Sequence, residues 1–102
     1  MVRHCVFFKF RDDVAEAERR AIHADLTALR AVVPGMGAVE FGHNNSPEPF
    51  SRGLAHGFTI DFETDAARDA YLVHELHKQA GARLVAAIEG GTEKLMVFDL
   101  VV

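Results

Sequence analysis

The stretch from residue 54 to residue 62 reads LAHGFTIDF, and its side chains alternate between two faces. One face carries His56, Phe58, Ile60 and Phe62. An alternation of period two predicts a β-strand with one side in the core. This strand therefore presents a histidine to the same side as three large apolar residues.

Three further segments show the composition of strands. Residues 2–10, 36–43 and 93–101 are rich in valine, phenylalanine and other apolar residues. Residues 44–49, which read NNSPEP, predict a loop between the second and third strands. The chain therefore contains four predicted strands.

A first helix is predicted between strands one and two. Asp12 or Asp13 could cap its start, and Pro34-Gly35 would end it. Its buried stripe has steps of four, three and four residues and comprises Ile22, Leu26, Leu29 and Val33.

A second helical region follows strand three. Thr64 is a good N-cap for a helix over residues 65–72. A further helical stretch is predicted over residues 74–89, with a kink or weak point at Gly81, and Gly90-Gly91 would end it.

The predicted order β-α-β-β-α-β defines an α+β, ferredoxin-like fold with an antiparallel four-stranded sheet, as a single domain over residues 1–102. Helices would cover one face of the sheet only. The opposite face would expose a partly apolar surface, which a second copy of the chain could cover. We therefore expect a homodimer built on this open face, whose apolar residues are Cys5, Phe7, Met96, Phe98 and Leu100.

Composition narrows the environment and the partners. The net charge is −4 and no lysine or arginine block occurs, so neither a nucleic acid nor a membrane is an expected partner. No apolar run has the length of a membrane span, and the charges within the first ten residues lead us to expect no signal peptide there. A single cysteine, Cys5, favours a reducing cytoplasm.

Four histidines, His4, His56, His74 and His77, are the candidate site residues, because each is predicted to point inward. His4 and His56, on neighbouring strands, could form the polar floor of a pocket; alternatively each is a core histidine bonded to backbone. His74 and His77 are three residues apart on one helical face and could hold a metal. No HExxH motif or inward carboxylate set accompanies them, so we expect neither a metal nor another cofactor.

Asp99 is a carboxylate on the helix-facing side of the last strand, where it needs a partner. His77 is the candidate, and an aspartate there would fix the tautomer of a basic histidine and raise its pKa, although burial opposes that rise. A purely structural His–Asp pair is the alternative. Tyr71, the only tyrosine, could protonate a carbonyl or could be an ordinary core aromatic. Ile22 and Leu26 could wall the cavity or belong to the core.

The chain resembles the stress-responsive A/B barrel family, whose members form dimeric α+β barrels. The resemblance extends over nearly the whole chain, and its carrying segments are residues 4–13, Val33-Pro34-Gly35, residues 41–48, His56, residues 71–77 and Val97-Phe98-Asp99.

The resemblance implies roles for three residues. A member of the family is a plant polyketide cyclase, and by motif position His77 would be the base, Tyr71 would assist it and Asp99 would hold it. His4 and His56 would line the same pocket. The expected ligand is a small, partly apolar molecule with a carbonyl group. The alternatives are a non-enzymatic, stress-related dimer with structural histidines and a cofactor-independent or haem-degrading monooxygenase-like barrel.

Overall fold

The computed structural model describes residues 1–102 and contains four strands and three α-helices. In chain order they are β1 (Val2–Phe8), α1 (Glu16–Ala28), β2 (Met36–His43), β3 (His56–Phe62), α2 (Asp65–Val73), α3 (Glu75–Ala87) and β4 (Met96–Val101). Short 3-10 turns follow α1 and precede β4. None of the helices is long and apolar enough to cross a membrane.

The strands form one antiparallel sheet in the order β2-β3-β1-β4, which confirms the ferredoxin-like α+β prediction. β1 is hydrogen-bonded on both sides, to β3 and to β4. As a result, His4 lies directly opposite Ile60 on one side and Asp99 on the other. Because paired residues across antiparallel strands point to the same face, the side chains of His4 and Asp99 lie on one side of the sheet.

The helix starts were predicted with mixed success. Thr64 caps α2 as expected, because its hydroxyl accepts a hydrogen bond from the Ala67 amide at 3.1 Å. The predicted cap of α1 at Asp12 or Asp13 is wrong. The N-cap residue is Ala15, which makes no side-chain cap bond, and the Asp13 carboxylate binds Arg11 instead.

The predicted kink at Gly81 is also wrong, because α3 runs through that residue without a break. The separation of two helices, predicted between residues 72 and 74, is confirmed, and it lies at His74 between α2 and α3. The Nδ1 atom of His74 accepts a hydrogen bond from the Leu76 amide at 3.0 Å, so this histidine is the N-cap of α3. A side-chain acceptor at this position satisfies a backbone donor that the first turn leaves free.

The hydrophobic core lies between the sheet and the three helices. Ile22 and Leu26 of α1 pack there with Phe8, Ile60 and Phe62 of the sheet, and all five side chains are essentially buried. The interpretation of Ile22 and Leu26 as plain core residues therefore fits their positions better than a role as cavity walls.

The open face of the sheet is only partly as expected. Met96, Phe98 and Leu100 are exposed, whereas Cys5 is buried within the subunit by its neighbours. Val97, on the helix-facing side of β4, keeps 52% of its exposure because β4 lies at the edge of the sheet. The edge strand thus presents apolar side chains to solvent on both faces.

β3 and β1 approach each other closely at Gly57. A Cβ atom at Gly57 would lie 2.6 Å from the Phe7 ring and 2.9 Å from the Val6 carbonyl oxygen. We expect Gly57→Ala to reduce the free energy of unfolding by ~1–3 kcal/mol through overpacking. Gly42, opposite Gly57 on β2, has open space at the same atom, so Gly42→Ala should change stability by less than ~0.5 kcal/mol. Urea unfolding followed by circular dichroism measures both, and equal effects would contradict this packing.

Candidate functional site

His4 is the one polar residue of the buried set, and it is 3% exposed. Its ring lies among the aromatic rings of Phe58, Phe62 and Tyr71, with centroid distances of 5.7–6.3 Å. The Nδ1–H group donates to Asp99 Oδ1 at 2.7 Å. Since Nδ1 carries the proton, the Nε2 atom of neutral His4 is an acceptor.

Asp99 completes a three-residue chain that reaches α2. Its second carboxylate oxygen accepts a hydrogen bond from Arg68 Nη1 at 2.9 Å. Burial tends to raise the pKa of Asp99, but the hydrogen bonds from His4 and Arg68 outweigh it and the pKa is lowered. Asp99 is therefore ionised at neutral pH, and both of its oxygens are engaged by positively polarised groups.

The predicted pairing of His77 with Asp99 is wrong. The Nδ1–H of His77 donates instead to the Leu72 carbonyl oxygen at 3.1 Å. Asp99 lies opposite His4 in the sheet, and its oxygens are taken by His4 and Arg68. The expected rise in the His77 pKa is also wrong: burial lowers it, although the bond to Leu72 opposes this. His77 is thus neutral at pH 7, with a lone pair on Nε2.

Tyr71 lies between the two histidines. Its ring centroid is 4.4 Å from that of His77 and 5.7 Å from that of His4. The side chain is fully buried, and its hydroxyl has no hydrogen-bond partner. Burial raises the pKa of Tyr71 well above its ordinary value. The phenol is therefore a neutral donor in need of an acceptor.

His56 lies at a different position along the sheet from His4, so the prediction that the two form the floor of one pocket is wrong. His4 is paired with Ile60, whereas His56 is paired with Phe8. Four residues along a strand correspond to about 13 Å. The Nδ1 atom of His56 accepts a hydrogen bond from the Phe10 amide at 3.1 Å. Burial is the main reason that the pKa of His56 is lowered.

His74 and His77 do not act as a chelating pair either. The Nδ1 atom of each is engaged with the backbone around the α2–α3 junction. No group of three or more His, Cys, Asp or Glu side chains has an arrangement that could hold a metal ion.

Two cavities lie outside the cluster formed by Tyr71, His4 and His77. One, of about 520 Å³, is on the open face beneath the loop that carries Phe50, and includes Phe7 and Phe98. The other, of about 470 Å³, lies beside α1 and includes Arg19 and His56. Tyr71 and His77 line neither cavity.

Arg68 is the site residue that the sequence reasoning missed. It lies on α2, three residues before Tyr71, so the two side chains share a helical face. An arginine beside an inward tyrosine, in a fold where an inward aspartate needs a partner, was the signal that could have identified it.

The fold and the cluster together define a ferredoxin-like α+β protein in which a buried histidine is paired with a partly buried aspartate, beside a tyrosine whose hydroxyl has no partner. The stress-responsive A/B barrel domain model matches residues 2–102, and the chain belongs to that family.

Relatives with known structures or activities bear out the family relationship. A dimeric ferredoxin-like protein of unknown function from Jannaschia sp. is 33% identical, with a TM-score of 0.87 and coverage of 99% of this chain and 98% of that one. Olivetolic acid cyclase from Cannabis sativa is 26% identical over 98 residues, covering 96% of this chain and 93% of the cyclase. Hydroxynitrile lyase from Passiflora edulis, at 21% identity, a TM-score of 0.80 and coverage of 99% and 92%, shows the shared fold alone.

The hydrogen bonds predict which histidine is coupled to Asp99. We expect Asp99→Asn to shift the ring resonances of His4, because its partner loses its charge, and to leave the titration of His77 nearly unchanged. Histidine NMR spectra of the wild type and of Asp99→Asn measure both titrations. They should cover about pH 4–9, which extends at least about two units to each side of the ordinary histidine pKa. A change in the His77 titration with His4 untouched would reverse the assignment.

The unpaired hydroxyl predicts that Tyr71→Phe stabilises the ligand-free protein. Removing a buried donor that has no partner recovers its desolvation cost, which is ~1–3 kcal/mol. The gain should be measurable by urea unfolding at pH 7. A loss of stability would show that the hydroxyl is already hydrogen-bonded in solution.

The buried Tyr71 hydroxyl also predicts a loss of stability at alkaline pH. The free energy of unfolding of the wild type should fall from about pH 10 upward, since Tyr71 ionises there in the unfolded chain before it does in the folded one.

Proposed function

We propose that this protein is a cytoplasmic homodimer that binds a small, partly apolar, carbonyl-bearing molecule at Tyr71, His77 and His4, and that it transfers a proton there. The observation that carries the proposal is the buried Tyr71 hydroxyl, which has no partner and lies between two histidines with free Nε2 atoms. A buried donor without a partner lowers the stability of the protein. An acceptor atom on a ligand would explain why the hydroxyl is present.

The proposed chemistry follows from the protonation states. The Tyr71 hydroxyl donates to the carbonyl oxygen of the ligand and stabilises the negative charge that develops on it. The Nε2 atom of His77 removes a proton from the carbon next to that carbonyl. The Leu72 carbonyl holds the His77 ring in the required tautomer and stabilises the imidazolium that forms. His77 then returns the proton after the ligand has reacted.

The similarity to olivetolic acid cyclase supports carbonyl chemistry, since it extends over 96% of this chain. Access would come from the α2–α3 junction. Tyr71 and His77 lie on either side of that junction, and Val73 and Leu76 remain exposed there. A ligand that enters at this point would meet apolar side chains before it reaches the tyrosine hydroxyl.

Dimerisation through the open face is part of the proposal. The exposed side chains of Met96, Phe98 and Leu100 form an apolar surface that no helix covers. The Jannaschia protein, which is 33% identical over nearly the full length, is dimeric. Burying such side chains against a second copy would contribute ~1.5–3 kcal/mol for each one.

Phe98→Asp should therefore give a monomer at micromolar concentration, because an unpaired charge would be buried in the interface. Val97→Asp is a matched control, since Val97 is the preceding residue of β4, is similarly exposed and points to the other face of the sheet. It should remain dimeric. Light scattering gives both masses. A wild-type monomer, or dissociation by Val97→Asp alone, would exclude this interface.

Proton transfer can be tested with 2-nonanone, a simple apolar ketone, in deuterated buffer. We expect the protein to catalyse exchange of the protons next to the carbonyl for deuterium, followed by NMR. His77→Gln should lower the catalysed rate by roughly 10²–10⁴-fold. His23→Gln is the control, because the His23 ring donates to the Val39 carbonyl and lies outside the cluster.

The outcomes separate the two main interpretations. If 2-nonanone perturbs the Tyr71 fluorescence, which is the only tyrosine signal in a chain without tryptophan, the ligand binds at the cluster. Binding without catalysed exchange would favour the non-enzymatic dimer. If 2-nonanone neither binds nor undergoes exchange, the carbonyl proposal as a whole is contradicted.

A further inference from the structure

The cleft between α1 and the edge of the sheet contains two neighbouring side chains, Arg19 and His56, whose donors lack an acceptor. Its volume is about 470 Å³, within the range of small-molecule sites. Phe10 and Phe41 supply apolar walls, and Arg19, Arg20 and His56 supply polar groups. Glu16, His23 and His43 also line it. Two arginines against one glutamate make this cleft locally cationic in a chain whose net charge is −4.

The protonation state of His56 is fixed by the backbone. The Phe10 amide can only donate, and it donates to His56 Nδ1 at 3.1 Å. The Nδ1 atom must therefore hold a lone pair, and the ring proton lies on Nε2. Burial, together with the nearby charges of Arg19 and Lys9 and with His43, lowers the pKa of His56 and keeps this neutral form at pH 7.

Arg19 meets that ring with a second donor. Its Nη1 atom is 3.5 Å from His56 Nε2, and both atoms carry hydrogen, so the contact is not a hydrogen bond. The guanidinium lies over the Phe10 ring, with its central carbon 4.8 Å from the ring centroid, which restricts its orientation. The Nε atom of Arg19 is buried and also lacks a partner.

We propose that this cleft binds the carboxylate of a small, partly apolar organic acid. One carboxylate oxygen would accept from Arg19 Nη1 and from His56 Nε2–H, which relieves the contact between two donors. Arg20 would add charge, and the hydrocarbon part of the acid would lie against Phe10 and Phe41. This site is separate from the Tyr71 cluster, and its test does not depend on the chemistry proposed there.

Hexanoate and its neutral isostere hexanamide are suitable probes. We expect hexanoate to shift the His56 ring resonances in a saturable NMR titration, whereas hexanamide at the same concentration should not. Long-range imidazole ¹H–¹⁵N spectra should show the Nε2–H tautomer of His56 before and after binding. Inorganic phosphate forms a third arm: if it saturates the same shifts as tightly as hexanoate, the site is a general anion site and the organic-acid proposal fails.

Variants locate the contact. Arg19→Gln should weaken hexanoate binding by about tenfold or more, since it removes a charge-assisted hydrogen bond. Arg19→Lys, which retains the charge, should lose less. Arg30→Gln removes a charge from an exposed residue outside the cleft. It should change the affinity for hexanoate by less than about twofold, because solvent screens an exposed charge. Tyr71→Phe should have no effect, which separates this site from the carbonyl site.

The proposal fails if hexanamide and hexanoate bind equally, or if a folded Arg19→Gln protein binds hexanoate as the wild type does. If Arg19→Gln does not fold, the comparison of the two probes on the wild-type protein still decides the question, because only a site built for a negative charge distinguishes them.

Discussion

A buried imidazole at His4 constrains the rest of the site. The ring is enclosed by aromatic side chains that cannot accept its Nδ1 proton, and an unmade bond there would cost about 1–3 kcal/mol. The strand order answers this need, because β4 lies next to β1 and places Asp99 directly opposite His4. A partly buried carboxylate needs further compensation in turn, and Arg68 supplies it from α2. One polar residue in the central strand thus connects the edge of the sheet to a helix.

The engagement of Asp99 determines how His77 is held. With no carboxylate available, the His77 ring uses a main-chain acceptor, the Leu72 carbonyl. The last carbonyls of a helix lack intrahelical partners, and Leu72 lies in the final turn of α2. The break at His74 ends α2 and turns the chain into α3, so that His77 meets this carbonyl. Burial lowers the pKa of His77, and the Leu72 carbonyl, which supports an imidazolium less strongly than a carboxylate would, does not raise it enough to offset that effect.

Much of the fold could be predicted from local sequence patterns. The contacts within the site, by contrast, depend on how neighbouring strands are aligned along one another. Alternation in residues 54–62 identified β3 and its inward face, and Thr64 was recognisable as a cap from its type and position. Asp99 was correctly recognised as an inward carboxylate that needs a partner. Which histidine it binds depends on the alignment of β4 along β1, and no single segment contains that information. The offset of His56 from His4 depends on register in the same way.

Satisfaction of buried polar groups is nearly complete, and the exceptions are informative. The buried side-chain atoms without a hydrogen-bond partner are the Tyr71 hydroxyl and Arg19 Nε. They lie in different places, one between His4 of β1 and His77 of α3 and the other in the cleft beside α1. A phenylalanine at the first position and a neutral side chain at the second would avoid the desolvation costs. Both exceptions are donors, which is why the proposed ligands bring acceptors: a carbonyl oxygen at Tyr71, and a carboxylate at Arg19, where arginines predominate.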